Sequence, residues 1–268
     1  MQSNAKSHSM DGVDRLTPAD IRWRLGSAHA RVPSTPTTCP LASLHHGRQE
    51  WRQQCTELEA LLALGERLGL SQGLPYAHPW SAGADFLTLL ALYVRTYRPA
   101  CIVECGSGLS SLILARCCAL NGHGRVWSLE HLPACAAHTR DWLGRYGLGA
   151  FATVLDAPLV PQRLGGKSFP WYALEGLSDL PAIDLLVVDG PPAGTGRLAR
   201  YPALPLLYAR LAPRCAVFLD DADRPDEQAV IERWRAEYPD LGQVRLTTGR
   251  GCALFARALT PHPGGLAL

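Results

Sequence analysis

Lysine is nearly missing from this chain. Of its 268 residues, 26 are lysine or arginine, and the only lysines are Lys6 and Lys167. A lysine base therefore has one candidate in the folded part, Lys167. Excess charge is missing too. A formal net charge of +2 falls short of the basic footprint that nucleic-acid binding needs. The longest strongly apolar run, Phe86 to Val94, is far shorter than the roughly 20 residues of a membrane span. The first thirty residues hold no signal-type apolar stretch. The nine cysteines include no Cys-x-x-Cys pair. Their odd number, with Cys101, Cys105 and Cys215 in strand-like runs, points to reduced core thiols rather than disulfides or zinc. A reducing cytoplasm is the expected compartment. No internal repeat and no second domain are visible.

What the chain has is alternation. Residues 1–45 are polar, with Pro33, Pro36 and Pro40, and read as a disordered leader. Residues 46–98 read as a helical cover. A first helix over Gln49–Leu70 has Trp51, Cys55, Leu58 and Leu62 on one face. A second follows Ser81 as N-cap, carries Phe86, Leu89, Leu90 and Tyr93, and stops at Arg98-Pro99. Residues 99–258 read as the core and 259–268 as a tail. Strands are expected at 101–104, 125–129, 151–155, 183–188, 215–219, 242–247 and 252–257. Helices are expected at 109–120, 133–145, 199–211 and 224–237. Asn121-Gly122, Pro133 and Gly147 mark helix ends and starts. LLVVD and AVFLD are apolar throughout, as strands buried on both faces should be. The implied fold is α/β: a Rossmann-like, mostly parallel seven-stranded sheet with helices on both faces. The Gly-Arg-Gly turn at 249–251 makes the last strand antiparallel. Residues 158–182 exceed a simple connection and read as an insertion on the substrate side.

The chemistry concentrates at strand ends. In Glu104-Cys105-Gly106-Ser107-Gly108 a strand runs into a glycine turn and a helix start, which lets backbone approach a nucleotide-like ligand. A dinucleotide fold would prefer a third glycine where Ser111 stands, and it has no need of an acid before the first glycine. S-adenosylmethionine carries a sulfonium and an ammonium group, so Glu104 has a partner there. Its carboxylate can take backbone N–H groups or the hydroxyls of Ser110 and Ser111 at the helix start. Glu130, ending the second strand, is placed to accept from ribose hydroxyls. His131 follows it on the cofactor wall, and Asp156-Ala157 is the candidate partner of the adenine amino group. Of the other histidines, His138 falls on a helix surface and His78 before Pro79-Trp80 at the site entrance. Arg197 and Arg200 are placed either to bind an acidic substrate or on a solvated helix start. Asp189 ends the fourth strand of the core and Asp220-Asp221 the fifth, at the ligand-binding edge. Three converging carboxylates repel one another, and a hard divalent cation, Mg²⁺, would relieve that and activate a substrate hydroxyl.

Together, IVECGSGLSS (102–111), Glu130, DLLVVDGPP (184–192) and AVFLDDAD (216–223) resemble the class I S-adenosylmethionine-dependent methyltransferases. The GSGLSS and DGPP forms resemble the bacterial branch called methyltransferase domain 24. The paired strand-end acids are similar to those of metal-dependent O-methyltransferases. That similarity implies Asp189, Asp220 and Asp221 as Mg²⁺ ligands, with Asp189 doubling as base. Catechol-type members of that group carry a lysine where Pro192 stands and an asparagine where Asp221 stands. The expectation is a cytoplasmic O-methyltransferase acting on a small-molecule acceptor, with no nucleic-acid or membrane partner. Its oligomeric state is open, a homodimer included. The alternatives are a metal-free N- or O-methyltransferase and an NAD-dependent oxidoreductase.

Overall fold

The structure, a computed structural model, describes residues 40–70, 72–75 and 81–258, and over residues 40–53 the helical backbone alone. The leader over 1–39, His78, Trp80 and the tail over 259–268 lie outside the described residues.

Among the described residues, nine strands and six α-helices follow in chain order. The first two helices are α1 (Pro40–Arg67) and α2 (Ala84–Tyr97). Then come β1 (Cys101–Cys105), α3 (Leu109–Asn121), β2 (Arg125–Glu130), α4 (Pro133–Arg145) and β3 (Ala152–Asp156). A hairpin follows, β4 (Leu159–Leu164) with β5 (Lys167–Tyr172). The chain continues through β6 (Ile183–Val188), α5 (Ala203–Leu207), β7 (Leu211–Asp220), α6 (Pro225–Glu237), β8 (Gly242–Leu246) and β9 (Cys252–Arg257). The main sheet has seven strands in the order β3-β2-β1-β6-β7-β9-β8, with β9 antiparallel to both its neighbours. The other pairings are parallel. This is the expected doubly wound sheet.

Alternation along the strands builds two cores. Ile102, Leu185, Val187, Ala216 and Phe218 face the side covered by α2 and α3. Val103, Leu186, Val188, Val217 and Leu219 face the hairpin and α6. Successive side chains of a strand point to opposite faces, so a sheet covered on both sides needs the unbroken apolar runs seen here. The free Cys101, Cys105, Cys215 and Cys252 are buried among them. Burial pushes the Cys101 thiol up to about 11, as an inert core thiol should be.

The cover differs in detail from expectation. Helix α1 begins at Pro40, inside the stretch read as leader. Ser81 does not cap α2; that helix starts at Ala84, whose N–H donates to Glu57 Oε1 at 2.6 Å, tying α2 to α1. The end at Arg98 holds, with that residue left-handed at φ 51°.

The helix expected over 199–211 shrinks to Ala203–Leu207, followed by a 3₁₀ turn at Tyr208–Arg210. Pro202 and Pro205 deny it amide donors, and β7 starts four residues early, at Leu211. The insertion is a hairpin turned by Gly165 and Gly166, both at positive φ, with Pro161 opposite Pro170.

Parallel register brings the ends of β1, β2, β6 and β7 to one edge. Cys105 pairs with Leu129 and Val188, and Val188 with Leu219. From β1 the chain moves outward to β2 and β3, then returns to β6 on the other side. Ligands of open α/β sheets bind at such a reversal.

Candidate active site

The glycine turn after β1 is shaped by backbone that other residues resist. Gly106 has φ +105° and Gly108 φ +154°. A Cβ on Gly108 would meet no protein atom within 4 Å, so the turn opens onto free space. Gly106 N–H donates to Leu129 O and Asp189 N–H to Cys105 O, fixing the turn between β2 and β6. Glu104, Gly106, Gly108, Glu130 and Asp189 line one pocket there.

Glu104 is fully buried. Its Oε2 accepts from Ser111 Oγ at 2.5 Å and from Ser128 Oγ at 2.7 Å. Its Oε1 is buried without a hydrogen-bond partner. Burial holds this carboxyl above the ordinary range against the serine hydrogen bonds. A buried carboxylate oxygen left unmatched is costly, and a ligand cation in the pocket would match it.

Glu130, 6 % exposed, closes on the turn. Its Oε2 accepts from Ser107 N at 3.1 Å and Ser107 Oγ at 2.9 Å. Its Oε1 accepts from Leu132 N at 2.9 Å and lies 3.2 Å from His131 Nδ1.

Beyond the turn, at the ends of β6 and β7, the three aspartates meet. One carboxylate oxygen from each of Asp189, Asp220 and Asp221 lies within 4.8 Å of the others. Asp221 is held left-handed at φ 55°, a conformation that aspartate tolerates better than most residues. Arg224 N–H donates back to Asp221 O, closing the turn into α6. Burial pushes the Asp189 carboxyl up to about 8, opposed mainly by Arg200. It pushes Asp220 up to about 6, with the Asp221 charge adding to it.

The seven-stranded sheet with its antiparallel β9, and the glycine turn at its reversal, have the Rossmann-like fold of the class I methyltransferases. The family described as Methyltransferase domain matches residues 103–222. The chain carries a methyltransferase domain.

Solved structures agree on the fold. An S-adenosylhomocysteine-bound methyltransferase from Podospora anserina is 16% identical, covering 84% of this chain and 98% of its own at a TM-score of 0.53. A Klebsiella pneumoniae protein described as an O-methyltransferase is 22% identical, with 90% and 97% covered at 0.52. An O-methyltransferase from Bacillus cereus in complex with S-adenosylhomocysteine is 18% identical, with 74% and 90% covered at 0.52. No curated protein matches the chain. Among the described residues no helix is long and apolar enough to cross a membrane.

Within the methyltransferase domain the sequence-derived residues divide. Glu104, Gly106, Gly108, Ser110, Glu130, His131 and Asp189 line the pocket. Ser111 stands behind Glu104 and does not line it. Asp156 does not line it either: its side chain is 69% exposed and pairs with Arg140 at 2.8 Å. Ala157 is buried, and its N–H donates to Glu130 O at 2.8 Å, locking β3 to β2. His138, expected on a helix surface, borders the pocket.

Sequence reasoning missed Ser107 and Tyr172, and left Arg200 undecided. Ser107 bridges the turn to Glu130. Tyr172, at the end of the hairpin, is buried and lines the pocket. The Gly-Gly pair between two short apolar runs was the available signal for that hairpin. Arg200 is 3% exposed rather than solvated or free for substrate.

The donor set does not fit the expected Mg²⁺. Both oxygens of Asp221 already face guanidinium groups. Oδ2 lies 2.8 Å from Arg200 Nη2 and 2.8 Å from Arg224 Nη1, and Oδ1 lies 3.2 Å from Arg250 Nε. Asp189 Oδ1 lies 3.2 Å from Arg200 Nη2, and Asp220 Oδ2 lies 3.2 Å from Arg250 Nη2. The repulsion that called for a dication is offset by arginine.

Proposed function

We propose that the methyltransferase domain binds S-adenosylmethionine and methylates an oxygen of a small-molecule acceptor. The observation that carries this reading is Glu104: its Oε1 is buried without a hydrogen-bond partner, and the residue lines the pocket of the glycine turn. That atom suits an ammonium group, which brings both a donor and a compensating charge. O-methyltransferases among the structures sharing this fold add support.

S-adenosylmethionine supplies a methyl group on an electrophilic sulfonium. Glu104 accepts from the ligand's ammonium, and the backbone of the glycine turn receives its carboxylate. Glu130 trades part of its hold on Ser107 for the ribose hydroxyls. Asp189, at the pocket wall beside the turn, accepts the proton of the acceptor hydroxyl. A carboxyl held near neutrality by burial suits that exchange. The rest is alignment of nucleophile, methyl carbon and sulfur, which positioning can accelerate greatly.

Calorimetric titration with S-adenosylhomocysteine tests the cofactor assignment, with NAD as the competing ligand. Saturable binding of S-adenosylhomocysteine that Glu104→Gln weakens at least tenfold is expected. Binding of NAD instead, or no binding, would sink the reading. Incubation with hydroxylated small molecules, followed by mass spectrometry for a methylated product, tests the acceptor class.

A further inference from the structure

We propose that Arg200 is the resident cation of the acceptor site: it binds the carboxylates of Asp189 and Asp221 and the backbone of Asp220 in the place a divalent metal would take, and the domain works without one. The inference rests on the reading of Asp189 as the acceptor-side acid and adds what holds that acid in place.

The guanidinium touches both strand ends at once. Nη1 donates to Asp220 O at 2.8 Å. Nη2 donates to Asp189 O at 3.0 Å, to Asp189 Oδ1 at 3.2 Å and to Asp221 Oδ2 at 2.8 Å. Nε lies 3.8 Å from Glu227 Oε1, on α6. A planar fork can engage carboxylates and carbonyl oxygens in several directions together, where an ammonium offers a point charge. Here the fork joins β6, β7 and α6, and it meets two of the three oxygen-bearing side chains that would have to turn toward a metal.

The loop carrying Arg200 is built to keep it there. Leu198 is left-handed at φ 54°, a strained conformation that persists only when its surroundings over-determine it. Its N–H donates to Asp226 Oδ2 at 3.1 Å. Tyr201 is anchored on both sides, its hydroxyl donating to Glu237 Oε2 at 2.9 Å and its carbonyl accepting from Trp234 Nε1 at 3.0 Å. Arg200 lies between these two clamps and is itself buried. A metal ion could take its place only if a buried guanidinium left three acidic side chains behind, which is costly.

The test is a Mn²⁺ titration of the metal-stripped protein, with free Mn²⁺ read by electron paramagnetic resonance and Mg²⁺ as competitor. It is run with and without S-adenosylhomocysteine. Wild type is expected to bind no Mn²⁺ at submillimolar concentration, and its thermal midpoint is expected not to change with chelator. One Mn²⁺ per chain, displaced by Mg²⁺ and lost in Asp221→Asn, would overturn the proposal. Arg200→Met is expected to acquire a Mn²⁺ site and a thermal midpoint that Mg²⁺ raises. Arg200→Lys, which keeps the charge and loses the fork, is expected to stay metal-free. If the methionine variant folds and acquires no site, Arg200 is not what stands in for the ion. If neither variant folds, the wild-type titration still decides. Calorimetry with S-adenosylhomocysteine on the same samples separates failure of this proposal from failure of the cofactor reading.

Discussion

Ser111 donates its hydroxyl to Glu104 Oε2 at 2.5 Å and, on its other side, accepts from Gly108 N–H at 3.1 Å. One side chain in the first turn of α3 thus holds both the acid that ends β1 and the glycine that opens the pocket. This leaves Glu104 Oε1 as the oxygen free to meet a ligand.

Ser111→Ala should therefore act through Glu104. Loss of a hydrogen bond to a buried charged group costs about 1–3 kcal/mol. S-adenosylhomocysteine is expected to bind about tenfold more weakly, since each ~1.4 kcal/mol is a factor of ten. Calorimetry of the variant checks this, and unchanged affinity would show that Ser128 alone holds the carboxylate.

Asp189 makes stability depend on pH. Its folded value is raised by burial from 3.8 to about 8, so the fold favours its protonated form. The stabilisation is whole below the ordinary carboxylate value and is lost as pH rises through about 8. The thermal midpoint is expected to fall across that window, and Asp189→Asn should flatten the decline. Denaturation scans at stepped pH read this directly; a slope that Asp189→Asn leaves unchanged counts against it.

Asp156→Ala should change little. The Arg140–Asp156 pair is exposed on both sides, 42% and 69%, and such pairs contribute about 0–1 kcal/mol. S-adenosylhomocysteine affinity is expected to stay within about twofold, a change of only a few tenths of a kcal/mol. A tenfold loss would place Asp156 at the adenine, as the sequence analysis expected.

Gly190→Ala should destabilise the site wall. A Cβ there would collide with the Tyr172 hydroxyl and lie 3.1 Å from Cys105 O. Overpacking of this kind costs typically about 1–3 kcal/mol. A lower thermal midpoint is expected, and Tyr172→Phe in the same chain should recover part of it.

The glycine turn and the strand-end acids were legible because they lie in continuous sequence, next to apolar runs that can only be buried strands. Glu104, Gly106, Gly108 and Glu130 needed no knowledge of distant residues. The hairpin was harder to see. Pro161 and Pro170 argue against strands, yet they face each other in a two-stranded ribbon with unpaired outer edges, where a missing N–H costs little. Asp156 differs from the other acids: it ends a strand as they do, but β3 is the edge strand and its side chain is exposed.

By itself the sequence determined the doubly wound sheet and the edge along which its acids lie, because local patterning sets which segments are strands and parallel register aligns their ends. Only the tertiary structure decided what faces those acids. Arg200 is eleven residues beyond Asp189 and twenty-one before Asp221, on a loop whose course depends on Tyr201, Trp234 and Glu237 packing together. Charge compensation is a matter of distance in space, and spacing along the chain does not report which cation arrives.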